Sequence, residues 1–260
     1  MKYAVLAGAA LALCAAAGTN LAAEHQGMHV PDYIRKAVDD SSRPDADRAR
    51  DANRRPAEVL AFAGIKPGMN VAELLPAGGY YTRLLCRVVG AAGHVYGVDF
   101  TMTMPPPPPG APPRPARQMP PPGPLGCDNV TKTTQSAAQL SLQPNLDVVW
   151  TTENYHDLHN PALGSPDMKQ FDQTVFDALK PGGEFLIEDH VAEAGSGARD
   201  TGTLHRIDPK LVRQEVQSVG FKFVGESHVV ANPEDPHTAK VFAMADKTDR
   251  FLFKFRKPAG

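Results

Sequence analysis

Residues 71–99 constrain the fold more than any other stretch of the chain. Val71-Ala72-Glu73-Leu74-Leu75 is an apolar run of strand length that ends in a turn. Gly78-Gly79 follow, then a helical stretch from Tyr80 to Val89 closed by Gly90, then a second strand, His94-Val95-Tyr96-Gly97-Val98-Asp99. Strand, glycine turn, helix and strand make a crossover unit, and repeated crossovers give a mostly parallel sheet with helices on both faces. The rhythm recurs downstream. Asn129–Lys132 and Leu146–Thr151 read as strands. Met168, Phe171, Val175, Phe176 and Leu179 share one helical face, and Lys180-Pro181-Gly182-Gly183 ends that helix. Glu184–Glu188 is a further strand. Asp208 caps a helix with Pro209 at its first position, and Gly220 ends it. Phe221–Val224 and Phe251–Phe255 alternate aromatic with polar residues, as a C-terminal antiparallel pair would.

Two segments stand outside this rhythm. Between Pro105 and Pro124, twelve of twenty residues are proline, a density that neither a helix nor a central strand survives. Residues 104–126 are therefore expected to be an insert without regular structure, standing where a helix would link strands two and three. At the N-terminus, Lys2 precedes an apolar, Ala-rich run from Ala4 to Ala17, and Leu21-Ala22-Ala23 precedes Glu24. One positive charge, a short apolar core and small residues read as a signal peptide over residues 1–23, too short for a stable membrane span. The chain is thus expected to be exported, most simply to the periplasm. Leu11-Ala12-Leu13-Cys14 approximates a lipoprotein box, but Leu13 stands where a small residue belongs, so lipidation at Cys14 is the lesser alternative. Residues 24–45 are polar, contain Pro31 and Pro44, and read as a flexible arm. Residues 46–258 form the folded domain. Its first element is a short helix with Pro56 in the first turn and Gly64 just past the end.

Lys plus Arg number 27 against 29 Asp plus Glu, a balance that gives no basic footprint for nucleic acid. With Cys14 removed, Cys86 and Cys127 remain. Cys86 falls late in the first crossover helix and Cys127 just before the third strand, so both lie toward the amino ends of the strands. A bridge closing a loop of about 40 residues is one reading, and two separate buried thiols is the other.

Ligands of open α/β sheets bind beyond the carboxyl ends of the strands. After the first strand come Pro76-Ala77-Gly78-Gly79, where the backbone can approach a ligand and the next helix offers free N–H groups. Asp99 ends the second strand, at a spacing suited to ribose hydroxyls. The fourth strand is followed by Glu153-Asn154-Tyr155-His156-Asp157-Leu158-His159. The fifth runs into Glu188-Asp189-His190, and Thr203-Leu204-His205-Arg206 lies further on. Histidines at strand ends suit proton transfer near neutral pH. His156 is the first candidate base, with Asp157 beside it, and His190 is the second. A metal site at His156, Asp157, Asp189 and His190 is suggested by residue type alone, and no His-x-x-x-His or Cys-x-x-Cys spacing supports it; no metal is expected.

These residues carry a family resemblance. Val71–Thr82, Asn154-Tyr155-His156-Asp157, Leu179-Lys180-Pro181-Gly182-Gly183 and Arg206-Ile207-Asp208 resemble class I S-adenosylmethionine-dependent methyltransferases. Gly225-Glu226-Ser227, Asn232-Pro233, His237-Thr238, Lys247–Phe251 and Lys254–Pro258 resemble most closely an exported bacterial family of predicted methyltransferases. The resemblance spans about residues 45–258 apart from the proline insert. It implies a Rossmann-like, seven-stranded α/β sheet, mostly parallel with an antiparallel last strand. It implies S-adenosylmethionine as cofactor, lying over Pro76, Ala77, Gly78 and Gly79. Glu73 would orient that loop or the methionine amine, Asp99 would hold the ribose, and Ser136 falls where an adenine-contacting acid is common. The places of the usual Gly-x-Gly-x-Gly hold Leu75, Ala77 and Gly79. The expected activity is methyl transfer to a small-molecule or envelope acceptor. The alternative is a non-catalytic nucleoside or small-molecule binding protein on the same fold.

Overall fold

The computed structural model describes residues 29–102, 123–244 and 246–260. The proposed signal peptide, the lipoprotein box and most of the proline insert lie outside them. Among the described residues no helix is long and apolar enough to cross a membrane.

The described residues open with four helices, α1 (Asp32–Val38), α2 (Asp45–Arg48), α3 (Asp51–Arg54) and α4 (Pro56–Ala63). The crossover unit follows as β1 (Asn70–Leu74), α5 (Tyr80–Val89) and β2 (His94–Phe100). Then come β3 (Val130–Gln135), β4 (Leu146–Thr152), α6 (Met168–Ala178), β5 (Leu179–His190), α7 (Pro209–Ser218), β6 (Lys222–Ser227) and β7 (Arg250–Arg256). The seven strands form one sheet in the order β3-β2-β1-β4-β5-β7-β6. The first five are mutually parallel, and β7 runs antiparallel between β5 and β6.

Side chains alternate across the central strands with a period of two, and both faces are buried. Val71, Val95, Val148, Trp150 and Leu186 pack under α1, α4 and α5. Ala72, Leu74, Val98, Val149, Phe185 and Ile187 pack under α6 and α7. Helices therefore cover both faces, as expected. The caps also stand where the sequence put them. Pro56 opens α4 and Gly64 closes it at φ 68°, while Asp208 accepts from Lys210 N with Pro209 in the first turn of α7.

Three features differ from the sequence reading or decide between its alternatives. First, the segment read as a flexible arm contains α1, which buries Ile34 and Ala37 against α4 and α5. Arg43 after it is buried and ion-paired to Asp51 at 2.8 Å. Seven residues make only about two turns, too short a run for a helical period to register. Second, β5 starts at Leu179, directly after α6, because the Lys-Pro-Gly-Gly turn is itself tied into the sheet: Gly182 N donates to Lys257 O and Lys257 N to Gly183 O. Third, Cys86 and Cys127 are bridged, with Cα atoms 6.3 Å apart and a sequence separation of 41. The bridge fastens the end of α5 to the segment entering β3. Asn129 Nδ2 reinforces it by donating to Cys86 O at 3.0 Å and Gly90 O at 2.8 Å.

Candidate active site

The strand order reverses between β1 and β4: from β1 the chain runs outward to β2 and β3, then returns to β4 on the other side. The crevice at such a switch point is where a ligand enters an open parallel sheet. Here it is bounded by the loop after β1 and the turn after β4, and Asn154 Nδ2 bridges them by donating to Leu75 O at 3.2 Å.

The β1 loop keeps a glycine-type backbone with few glycines. Leu75, Ala77 and Gly79 have φ of 52°, 47° and 80°. The three positions that align with Gly-x-Gly-x-Gly are thus all left-handed, a conformation that strains a residue with a Cβ by about 1–2 kcal/mol. Backbone bonds hold it in place, with Leu75 N donating to Val98 O and Gly79 N to Pro76 O, both at 2.8 Å. Gly79 leads into α5, whose first N–H groups lack partners within the helix.

Glu73 lies beneath this loop, 3% exposed, and accepts from Thr82 Oγ1 at 2.6 Å. Burial pushes its pKa up to about 7, with the Thr82 bond opposing. Asp99 stands near the end of β2, half-buried, and burial raises its pKa against the pull of Lys132. Ser136 follows the last residue of β3 and precedes a short 3-10 turn at Ala137–Gln139. Glu73, Pro76–Gly79, Asp99 and Ser136 therefore lie along one edge of the sheet.

Sequence reasoning missed Arg83. It is buried, its Nε donates to Asp47 Oδ2 at 2.7 Å and its Nη2 to Gly78 O at 2.8 Å. Its Nη1 is buried without a hydrogen-bond partner among the described residues. A Cβ added to Gly79 would stand 3.1 Å from that Nη1.

On the other side of the crevice, four titratable side chains converge. His156 Nδ1 lies 2.8 Å from Asp189 Oδ1, and His156 N donates to Asp189 Oδ2 at 2.7 Å. Asp189, fully buried, accepts from His190 N as well, at 2.8 Å. Burial opposes protonation of His156, but Asp189, then Asp157 and Glu153, outweigh it and raise its pKa. Its Nε2 faces His205 Nδ1 at 3.2 Å and Asp157 Oδ1 at 3.3 Å. His190 is placed differently. Its Nδ1 is paired with Thr248 Oγ1 at 2.8 Å, and burial pushes its pKa down to about 4 against the pull of Glu153 and Asp189. The structure therefore joins His156 to Asp157, Asp189 and His205, and places the His190 ring 6.0 Å from that of His156.

Around this cluster runs an ion network, buried at Arg54, Glu188 and Arg250, that sequence reasoning also missed. Glu153, left-handed at φ 59°, pairs with Arg54 of α3 and with Arg250 of β7. Arg250 also pairs with Glu188 at 2.9 Å, whose pKa burial pushes up to about 7 despite it. Asp246 takes Arg50 at 2.7 Å, and Tyr80 donates to Asp51 at 2.6 Å. Helices α2 and α3 are thereby pinned to the β1 loop through Arg83 and Tyr80, and to the β4 turn through Glu153.

No protein-family model matches the chain, and no curated protein matches it significantly. Solved structures do match. A SAM-dependent methyltransferase from Aquifex aeolicus is 18% identical with a TM-score of 0.52, the match covering 87% of this chain and 97% of that one. A putative sarcosine dimethylglycine methyltransferase from Galdieria sulphuraria is 15% identical with a TM-score of 0.51, covering 88% and 99%. The [4+2]-cyclase SpnF is 15% identical with a TM-score of 0.51, covering 83% and 82%. One fold thus carries more than one reaction among these neighbours, and function has to be argued from the site. The fold of this chain is that of the class I S-adenosylmethionine-dependent methyltransferases.

Proposed function

We propose that the protein is an exported S-adenosylmethionine-dependent methyltransferase acting on a small molecule or an envelope component. The observation that carries this reading is the β1 loop. Leu75 and Ala77 hold left-handed backbone where glycine would be easier, above a buried Glu73 and beside Asp99 at the next strand end. Strain of this kind persists where surrounding structure enforces it, typically at ligand sites. The disulfide supports export, since such bridges persist in oxidising compartments.

The residues present fit the cofactor. The partnerless Nη1 of Arg83 and the first N–H groups of α5 are donors for a carboxylate beside Gly79. Glu73 orients the loop and offers negative charge to an amine. Asp99 accepts from ribose hydroxyls, and Ser136 marks the adenine side. When bound, adenosylmethionine supplies a methyl group already activated on a sulfonium, so the protein's task is mainly alignment of the acceptor. Where the acceptor must lose a proton, His156 Nε2 receives it, with Asp189 fixing the ring and stabilising the charge that forms. His190, buried against Thr248, positions Asp189 through its backbone N–H.

The test is incubation with adenosylmethionine labelled in its methyl group, together with small-molecule and envelope extracts. The expected result is label in a new species, lost in Asp99→Ala. Bound cofactor whose label stays in place across every extract would instead favour a binding protein.

A further inference from the structure

We propose that His156, Asp157 and His205 form a three-ligand site for one first-row divalent cation, zinc being the ion the donor set suits best. Three donor atoms already stand at the corners of a coordination face. His156 Nε2 is 3.2 Å from His205 Nδ1 and 3.3 Å from Asp157 Oδ1, and His205 Nδ1 is 3.6 Å from that same oxygen. Tetrahedral zinc with bonds of about 2.0–2.2 Å places neighbouring ligand atoms about 3.3–3.6 Å apart. The edges of the triangle therefore match those of a tetrahedral site, and a fourth position remains for water or an acceptor atom.

The surroundings prepare these atoms for that use. His156 Nδ1 pairs with the buried Asp189, which leaves Nε2 as the ring nitrogen that faces the other two donors. A carboxylate behind the imidazole is the usual way of orienting a histidine ligand. Asp189 cannot swing away, because it also accepts from the backbone N–H groups of His156 and His190. His205 is held at a left-handed φ of 57°. The next residue, Arg206, is buried and bonded to Asp235, Val191 O and Ala239 O. The His205 ring packs edge-on against Phe242 at 4.7 Å. Asp157 and His205 are each about a third exposed, so the open position faces solvent. Two imidazoles and one carboxylate are borderline donors; they favour zinc and its first-row neighbours over magnesium or calcium, which prefer all-oxygen sites. One lone pair cannot hold a cation and take a proton together, so His156 acts as a base only in the metal-free protein. The proposal does not depend on methyl transfer, because it is read from metal binding alone.

The experiment uses the untagged, chelator-treated full chain, titrated with zinc by calorimetry and with cobalt by visible absorption. The expected result is one equivalent per chain, with intense cobalt bands of a low-coordinate, nitrogen-bearing site. His205→Gln and Asp157→Asn should each weaken zinc by ~100-fold or more, and Asp189→Asn, which acts behind the ligand, by ~10–100-fold. Circular dichroism establishes that each variant is folded. Zinc binding equally tight in wild type, His205→Gln and Asp157→Asn would overturn the site. A cobalt spectrum unchanged from the aqueous ion would overturn it too.

Discussion

The two walls of the crevice are built in opposite ways. The β1 loop is shaped by backbone: five consecutive residues, three of them left-handed, closed by main-chain hydrogen bonds. The facing wall is shaped by side chains from distant segments, with His156, Asp189 and His205 brought together across 49 positions of sequence. A backbone-built wall presents fixed N–H and C=O groups, which suits the invariant parts of a cofactor. A side-chain wall can be altered one residue at a time, which suits whatever varies, the acceptor above all. The contrast also predicts where each wall is fragile: the second through its supporting ion pairs, the first through strain and buried charge.

The largest effect is expected at Arg206. Its guanidinium and the Asp235 carboxylate are both inaccessible, and removing one partner of a buried pair typically destabilises by about 3–5 kcal/mol. Arg206→Met should lower the denaturation midpoint accordingly and displace His205; an unchanged midpoint would show that the side-chain wall does not depend on this anchor. Next is the disulfide. Replacing Cys86 and Cys127 together by serine should remove about 3–4 kcal/mol in the chain-entropy model, measured by urea unfolding without reductant.

The backbone wall is tested by pH. The folded pKa of Glu73, about 7, lies above its ordinary value of 4.5. Its stabilising share is therefore complete below about pH 4.5 and lost as pH rises through 7. Across that window the wild type should lose about 3 kcal/mol relative to Glu73→Gln. Parallel stability curves would mean that the carboxyl titrates normally. The smallest effect is expected at Ala77, where φ is 47°. Ala77→Gly should relieve left-handed strain and, after the added freedom of the unfolded chain, stabilise by at most about 1 kcal/mol. A loss of stability would mean the residue is not left-handed.

The same contrast decides what the sequence could disclose. The sheet, the caps at Pro56 and Asp208, the aromatic C-terminal hairpin and the Glu73–Gly79 loop are local patterns, and each stands where the spacing put it. The bridge at Cys86 was legible as one of two options, because crossover topology places both cysteines at one end of the sheet. Other features are pairings rather than patterns. Nothing near Arg54 announces Glu153, 99 positions away, and nothing near Arg83 announces Asp47. His205 was visible only as one more histidine; its place beside His156 depends on the buried Arg206–Asp235 pair and on the bridge of Ile207 to Val191. Helix α1 escapes a sequence reading because seven residues make only about two turns, although tertiary packing of Ile34 and Ala37 is enough to order them.

Calorimetric titration of the wild-type chain with S-adenosylhomocysteine, repeated with S-adenosylmethionine, tests the central claim without knowledge of the acceptor. The account predicts one site per chain for both compounds, and a stability gain of about 2.7 kcal/mol at a hundred times the dissociation constant. Absence of both heat and thermal stabilisation with either compound would contradict it.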